Sequence, residues 1–328
     1  MQGRHDVIAT KRTNRRTAID LFAGCGGVTI GLKGAGFRVL AAVENDPAAV
    51  RVYSDNHRNV TLFGDIRELS ATTLKQRLGL AKGDLDLLAG CPPCQGFSRM
   101  TTRNGCWRII DPRNGLIDDF KRLVEGLLPK TIMLENVPGL ATERRFAGFY
   151  RALQEQGYVV NFEVVDAADH GVPQRRRRLI LLASRYGRIL FPKRVEKLMT
   201  VRDAIGALPK PGNSGDGAHD IPECRSSAVQ RLIRLIPKNG GSRTDLGDHE
   251  QLRCHREFDG FKDVYGRMRW NDVAPTITSG CFNPSKGRFL HPTQDRCITI
   301  REASVSGVQY SRRGPPDMAA STGRSPGR

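Results

Sequence analysis

Between residues 17 and 184, short apolar runs alternate with segments of helical periodicity, and this alternation constrains the chain more than any other feature. The runs lie at 17–22, 38–43, 85–89, 131–134 and 179–183, and the helical candidates at 28–34, 47–57, 117–128 and 143–156. Strands that alternate with helices predict an α/β fold built on a largely parallel sheet.

The texture changes beyond residue 184. Gly, Pro, Arg and Lys become frequent, and PKPGNSGDGAHD (209–220) and KNGGSRTDLGD (238–248) read as loops. Ordered-looking sequence returns in GRMRWNDVAPTITSG and FLHPTQDRCITIREA. Residues 304–328 are rich in Gly, Pro, Ser and Arg and lack apolar periodicity, which predicts a disordered tail. The expected organisation is a basic arm over 1–16, a first domain over 17–185, a second, smaller and irregular domain over 186–290, a return segment over 291–303, and the tail.

The 328 residues carry 52 Lys and Arg against 34 Asp and Glu, a net charge of +18. A globular chain this basic is expected to meet a polyanion, nucleic acid first. No apolar run reaches the ~20 residues of a membrane span, and the first residues lack the apolar core of a secretion signal. The eight cysteines are scattered, which fits a reducing cytoplasm. Cys91 and Cys94 form one CxxC pair without the second half of a zinc site, so no metal is expected.

Four segments carry chemistry. In IDLFAGCGGVTIGL (19–32), an apolar run enters Gly24-Cys25-Gly26-Gly27 and then a helix, where glycines let a ligand approach the backbone. Glu44 follows at the end of the next run, placed to accept hydrogen bonds from both ribose hydroxyls of a nucleoside. Thr29 stands where a dinucleotide fingerprint has its third glycine, which favours a cofactor without a pyrophosphate. Asp65 in GDI is a candidate for an adenine amino group, or else a helix N-cap. In DLDLLAGCPPCQGFS (84–98), two prolines stiffen a loop that aims Cys94, a candidate nucleophile, with a redox pair or an inert thiol as the alternatives. KTIMLENVPGL (130–140) ends a strand at Glu135, a candidate proton donor. QRRRR (174–178) leads into a strand, so Arg176 and Arg178 are expected on one side.

Together these segments resemble the DNA (cytosine-5) methyltransferase family of bacterial restriction-modification systems, in the family's order, over residues 17–303. DLFAGCGG is similar to its cofactor loop, GCPPCQGFS to its catalytic loop, ENV to its acid motif and QRRRR to its arginine motif. The resemblance implies a Rossmann-like S-adenosylmethionine-dependent methyltransferase fold with a smaller target-recognition domain. It implies a cytoplasmic bacterial enzyme, monomeric, acting on double-stranded DNA, and it leaves open whether a partner restriction endonuclease exists. Cys94 would attack carbon 6 of a flipped-out cytosine, and Glu135 would contact ring N3. Arg176 would hold the base carbonyl, and Arg178 would orient Glu135. Phe22, Gly24, Gly26, Gly27, Glu44, Asn45, Asp65 and Pro93 would line the cofactor site. Thr276 in PTIT would mark the exit of the target-recognition region, where Arg243, Arg253, Arg267 and Arg269 are candidates for reading bases, or else for phosphate contact or plain surface.

Past Ala303 the sequence departs from the family, whose Gly-Asn-x-Val-x-Pro segment is missing, and the break is expected to reflect a truncated or frameshifted reading frame. Three alternatives follow: an inactive DNA-binding remnant, a nucleotide-dependent oxidoreductase using Cys91 and Cys94, and methylation of RNA on the same scaffold.

Overall fold

A computed structural model of the chain describes residues 15–93, 115–247, 249–251 and 263–307. Its contacts divide the chain into two units. The first contains a seven-stranded sheet. In chain order its elements are β1 (Thr17–Leu21), α1 (Gly27–Gly34), β2 (Arg38–Val43), α2 (Pro47–Asn56), β3 (Thr61–Phe63), α3 (Ala71–Leu78), β4 (Leu87–Gly90), α4 (Leu116–Leu127), β5 (Thr131–Asn136), α5 (Arg144–Glu155), β6 (Val159–Asp166) and β7 (Arg177–Ser184). The strand order is β3-β2-β1-β4-β5-β7-β6. The pairs β1–β2, β1–β4, β2–β3 and β4–β5 are parallel, and β7 runs antiparallel to β5 with Glu135 opposite Ile180.

The packing follows from the apolar pattern. Ile19, Leu21, Leu88, Ile132, Leu134, Leu179 and Leu181 are fully buried, and α4 covers them with Phe120, Leu123, Val124 and Leu127. Local signals set the helix starts. The Asp46 carboxylate accepts the Ala48 and Ala49 N–H groups ahead of α2, with Pro47 in its first turn, and Ser70 caps α3. Because β1 pairs with β2 on one side and β4 on the other, the winding reverses there. In open α/β sheets a ligand crevice forms beyond the carboxyl ends of strands at that point.

Three elements have no counterpart in the sequence pattern. β3 has three partly buried residues, β6 is an edge strand that is largely exposed, and α3 buries only Leu74. An element that buries little leaves little periodicity in its sequence.

The second unit comprises residues 166–177 and 192 onward, whereas 178–191 group with the sheet. It contains α6 (Val201–Ile205), α7 (Ser227–Leu235) and α8 (Ile300–Gly307). Val201, Ile205, Met268, Ala274, Phe289, Ile298, Ala303 and Val305 share one core. Leu232, Ile233, Ile236, Tyr265, Leu290 and Cys297 form another. Residues 304–307, expected to begin the disordered tail, complete α8, whose start is closed by a reciprocal cap. Glu302 N–H donates to Thr299 Oγ1 at 3.1 Å, and Thr299 N–H donates to Glu302 Oε2 at 2.8 Å. Arg296 adds a bidentate pair to the same buried carboxylate, with both contacts at 2.7 Å.

Two arginines proposed from sequence for base reading are buried here. Arg267 is fully enclosed. It donates to the carbonyls of Ile233, Ile236, His291 and Gln294 and pairs with Asp295. A guanidinium that gives its donors to surrounding carbonyls organises a core and cannot reach a base edge. Arg243 is also buried, Arg269 is exposed, and Arg253 lies outside the described residues. Thr276 Oγ1 donates to the Arg175 carbonyl at 2.6 Å, and Ile277 N–H donates to Gln174 Oε1 at 2.9 Å, so the PTIT and QRRRR segments are laced together. Among the described residues no helix is long and apolar enough to cross a membrane, and no group of His, Cys, Asp and Glu could hold a metal ion.

Candidate active site

The turn leaving β1 is held in left-handed backbone at Phe22 (φ 58°), Gly24 (φ 54°) and Gly26 (φ 94°). The need for glycine at position 26 comes from within the protein. A Cβ there would sit 2.4 Å from His57 Nε2. At Gly24 and Gly27 a Cβ would meet nothing within 4 Å, so the surface above them is open. Glu44, at the end of β2, ties the turn down. Its Oε2 accepts the Gly24 N–H at 2.8 Å, and its Oε1 accepts the N–H groups of Asn45 and Asp46 at 2.9 and 2.8 Å. A carboxylate offers about four acceptor positions. Three are occupied by backbone, which leaves about one for a ribose hydroxyl where two bonds were expected.

Thr29, in place of the third glycine, is buried. Its hydroxyl donates to Asp20 Oδ2 at 2.7 Å and lies 2.8 Å from the Tyr53 hydroxyl. Asp20 is itself fully buried, its Oδ1 has no hydrogen-bond partner, and burial raises its pKa to about 6. This chain of polar side chains joins β1, α1 and α2 beneath the turn. Sequence reading saw Thr29 only as a missing glycine, and the isolated Asp20 gave no signal.

Above the turn lies a cavity of about 380 Å³, lined by Phe22, Val43, Glu44, Asn45, Asp46, Gly64, Asp65, Ile66, Arg67, Cys91, Pro93 and Leu116. Five of the eight expected cofactor residues therefore share one cavity, whereas Gly24, Gly26 and Gly27 do not line it. Asp65 does not cap a helix; that role for α3 belongs to Ser70. Its Oδ1 accepts the Arg67 N–H at 2.9 Å, its two oxygens take the Arg67 guanidinium, and Asn45 Nδ2 lies 3.5 Å from Oδ2. Hydrogen bonds from Arg67 lower the Asp65 pKa to about 2.

The second part of the site is built at the ends of β4 and β5. Cys91 N–H donates to the Leu21 carbonyl at 3.3 Å. Asn136 is buried and donates from Nδ2 to the Pro92 carbonyl at 2.9 Å, while its Oδ1 accepts the Val137 N–H at 2.8 Å. One side chain thus clamps the loop after β4 to the end of β5, a role that the ENV motif alone does not reveal. Glu135 Oε1 accepts from Arg178 Nε at 2.9 Å, both side chains being about three-quarters buried. Burial, then the carboxylates of Glu135 and Asp20, push the Cys91 thiol far up, so it is a poor thiolate and a poor half of a redox pair. Cys94 lies outside the described residues. In the QRRRR segment Arg175 and Arg177 are exposed, whereas Arg176 and Arg178 are half-buried. Arg176 belongs to the second unit. Its N–H donates to Asp166 Oδ1 and its carbonyl accepts from Ala167, both at 3.0 Å.

A family model described as C-5 cytosine-specific DNA methylase matches residues 16–306. The chain belongs to this family. Among similar proteins, Type II methylase M.HgiDII of Herpetosiphon aurantiacus is 37% identical over 302 residues, covering 88% of this chain and 82% of that protein. Type II methyltransferase M1.HphI of Haemophilus parahaemolyticus is 35% identical over 297 residues, covering 88% and 76%. Among solved structures, one described as a DNA modification methyltransferase encoded within an E. coli prophage is 26% identical with a TM-score of 0.61, covering 89% of this chain and 88% of that one. The methylase is thus a DNA (cytosine-5)-methyltransferase of the restriction-modification type, and its family uses S-adenosylmethionine as methyl donor.

Proposed function

We propose that the methylase acts through a covalent adduct between Cys94 and carbon 6 of a cytosine flipped out of double-stranded DNA. Carbon 5 of cytosine is a poor nucleophile. Addition of the Cys94 thiolate at carbon 6 moves electron density to carbon 5, which then takes a methyl group. Glu135 contacts ring N3 and supplies the proton that stabilises the adduct. Arg178 orients Glu135, and Arg176 holds the base carbonyl and favours the thiolate. Loss of the carbon 5 proton and expulsion of Cys94 release the methylated base. The observation that carries this reading is the pairing at the end of β5: Glu135 fixed by Arg178, next to an Asn136 that clamps the loop leading to Cys94.

The cavity beside the β1 turn fits S-adenosylmethionine, which supplies an electrophilic methyl group when bound. Phe22, Ile66, Pro93 and Leu116 offer apolar surface for a purine. Glu44 has an acceptor position left for a ribose hydroxyl, and Asp65 and Asn45 offer polar atoms at the adenine end. Residues 186–290 are assigned to target recognition, with the +18 charge serving phosphate contact. The Type II names and bacterial sources of the relatives support a bacterial enzyme of a restriction-modification system, and the proposal takes it to be a cytoplasmic monomer with a partner endonuclease.

Bisulfite sequencing of DNA from cells expressing the chain tests this reading, because it reports activity and site together. Wild type should protect cytosines within one sequence and Cys94→Ser should protect none. DNA carrying 5-fluorocytosine should trap the wild type covalently. Trapping that persists in Cys94→Ser would assign the nucleophile to another residue.

A further inference from the structure

The guanidinium of Arg67 borders the cavity and lies on the carboxylate that the adenine end of a nucleoside would use. The acceptor positions of Asp65 are fully subscribed. Oδ1 takes the Arg67 N–H at 2.9 Å and Nε at 3.0 Å. Oδ2 takes Nε at 3.0 Å, a terminal guanidinium nitrogen and, at 3.5 Å, Asn45 Nδ2. The contacts from Arg67 are of two kinds. The backbone N–H fixes the Asp65 side chain whatever residue stands at 67. The guanidinium is more than half exposed and can swing into solvent. An incoming amino group can bond to Oδ2 only by displacing it or the long Asn45 contact.

We propose that Arg67 is a specificity-determining residue of the cofactor site, an internal competitor that occupies the adenine-recognising edge of Asp65 and makes the site less selective for a 6-amino purine. This rests on the cavity being the cofactor site. With Arg67 present, a 6-amino group must displace the guanidinium from Asp65. A 6-oxo group has no hydrogen to give Asp65 but can accept one from Arg67 itself. Both ligands therefore find a partner, the first at a cost and the second at a gain. Without the guanidinium, Asp65 presents a bare acceptor edge that suits the amino group and offers nothing to the 6-oxo oxygen.

The experiment compares binding of S-adenosylhomocysteine and its 6-oxo analogue, S-inosylhomocysteine, by calorimetry to wild type, Arg67→Ala and Asp65→Asn. S-adenosylmethionine is run alongside, because its extra positive charge separates displacement from simple repulsion. Exposed ion pairs are weak, so Arg67→Ala should bind S-adenosylhomocysteine about two- to five-fold more tightly. It should bind the 6-oxo analogue more weakly, and the gain should be the same for S-adenosylmethionine. Raising salt should tighten S-adenosylhomocysteine binding to wild type more than to Arg67→Ala, because salt screens the ion pair. If Asp65→Asn binds S-adenosylhomocysteine as wild type does, the adenine does not sit at Asp65, and the site reading falls together with this inference. If Asp65→Asn weakens binding but Arg67→Ala gains nothing, or gains equally for both purines, the inference about Arg67 alone is wrong. A gain seen only with S-adenosylmethionine would also overturn it, by showing charge repulsion instead of competition.

Discussion

Replacing Glu44 with Ala removes two things at once. The first is the acceptor position left for the ribose. One charge-assisted hydrogen bond contributes about 1.5–3 kcal/mol, or about 10- to 100-fold in affinity. The second is the tether at 2.8 Å to the Gly24 N–H, which holds a turn in left-handed backbone, together with the bonds to Asn45 and Asp46. Those last two N–H groups lie at the surface and can turn to water, so the fold should survive while the turn loosens. Glu44→Gln separates the contributions. Its single oxygen can serve either the Gly24 or the Asn45 and Asp46 donors, and its amide nitrogen then faces the other set. The expected order of affinity is wild type, Gln, Ala. The measurement is calorimetric titration with S-adenosylhomocysteine at fixed ionic strength, with a thermal melt on each variant to establish folding. An Ala variant that melts normally and binds within two-fold of wild type would refute the reasoning, because Glu44 would then neither face the ligand nor hold the turn.

Two further substitutions test the framework beneath the cavity. Gly26→Ala places a Cβ 2.4 Å from His57 Nε2 in backbone at φ 94°. Left-handed strain and overpacking together should cost about 2–4 kcal/mol, read as a lower midpoint in urea unfolding. His57→Ala in the same chain should return part of that loss, and an unchanged midpoint for Gly26→Ala alone would contradict the packing. For Asp20, burial raises the folded pKa from 3.8 to about 6, so the folded state holds this proton more tightly than the unfolded chain. Its contribution to stability is complete below about pH 4 and is lost as the pH rises through about 6. Asp20→Asn should therefore gain on wild type across that window and keep a constant difference above it, whereas parallel stability curves from pH 4 to 8 would show that Asp20 does not titrate there.

The sequence by itself determined the sheet that positions the site. β1, β2 and β4 bury nearly continuous apolar runs and β5 and β7 bury alternate positions of theirs, and burial on that scale leaves a pattern that periodicity can find. The motifs at the strand ends were legible for a related reason, since glycine, proline and acidic residues at fixed offsets have few other uses. Tertiary structure decided which chemistry each of those residues has left to offer. Gly26 makes room for His57, and Glu44 gives an acceptor position to the Gly24 N–H, twenty residues before it. It also moved Arg243 and Arg267 from an expected binding surface into the interior, where carbonyls from four separate positions converge on the Arg267 guanidinium. The reason is one of range. Periodicity and turn chemistry act between residues a few positions apart and are written locally. The partners of a buried polar group come from tens of residues away, and only the folded chain brings them within hydrogen-bond distance.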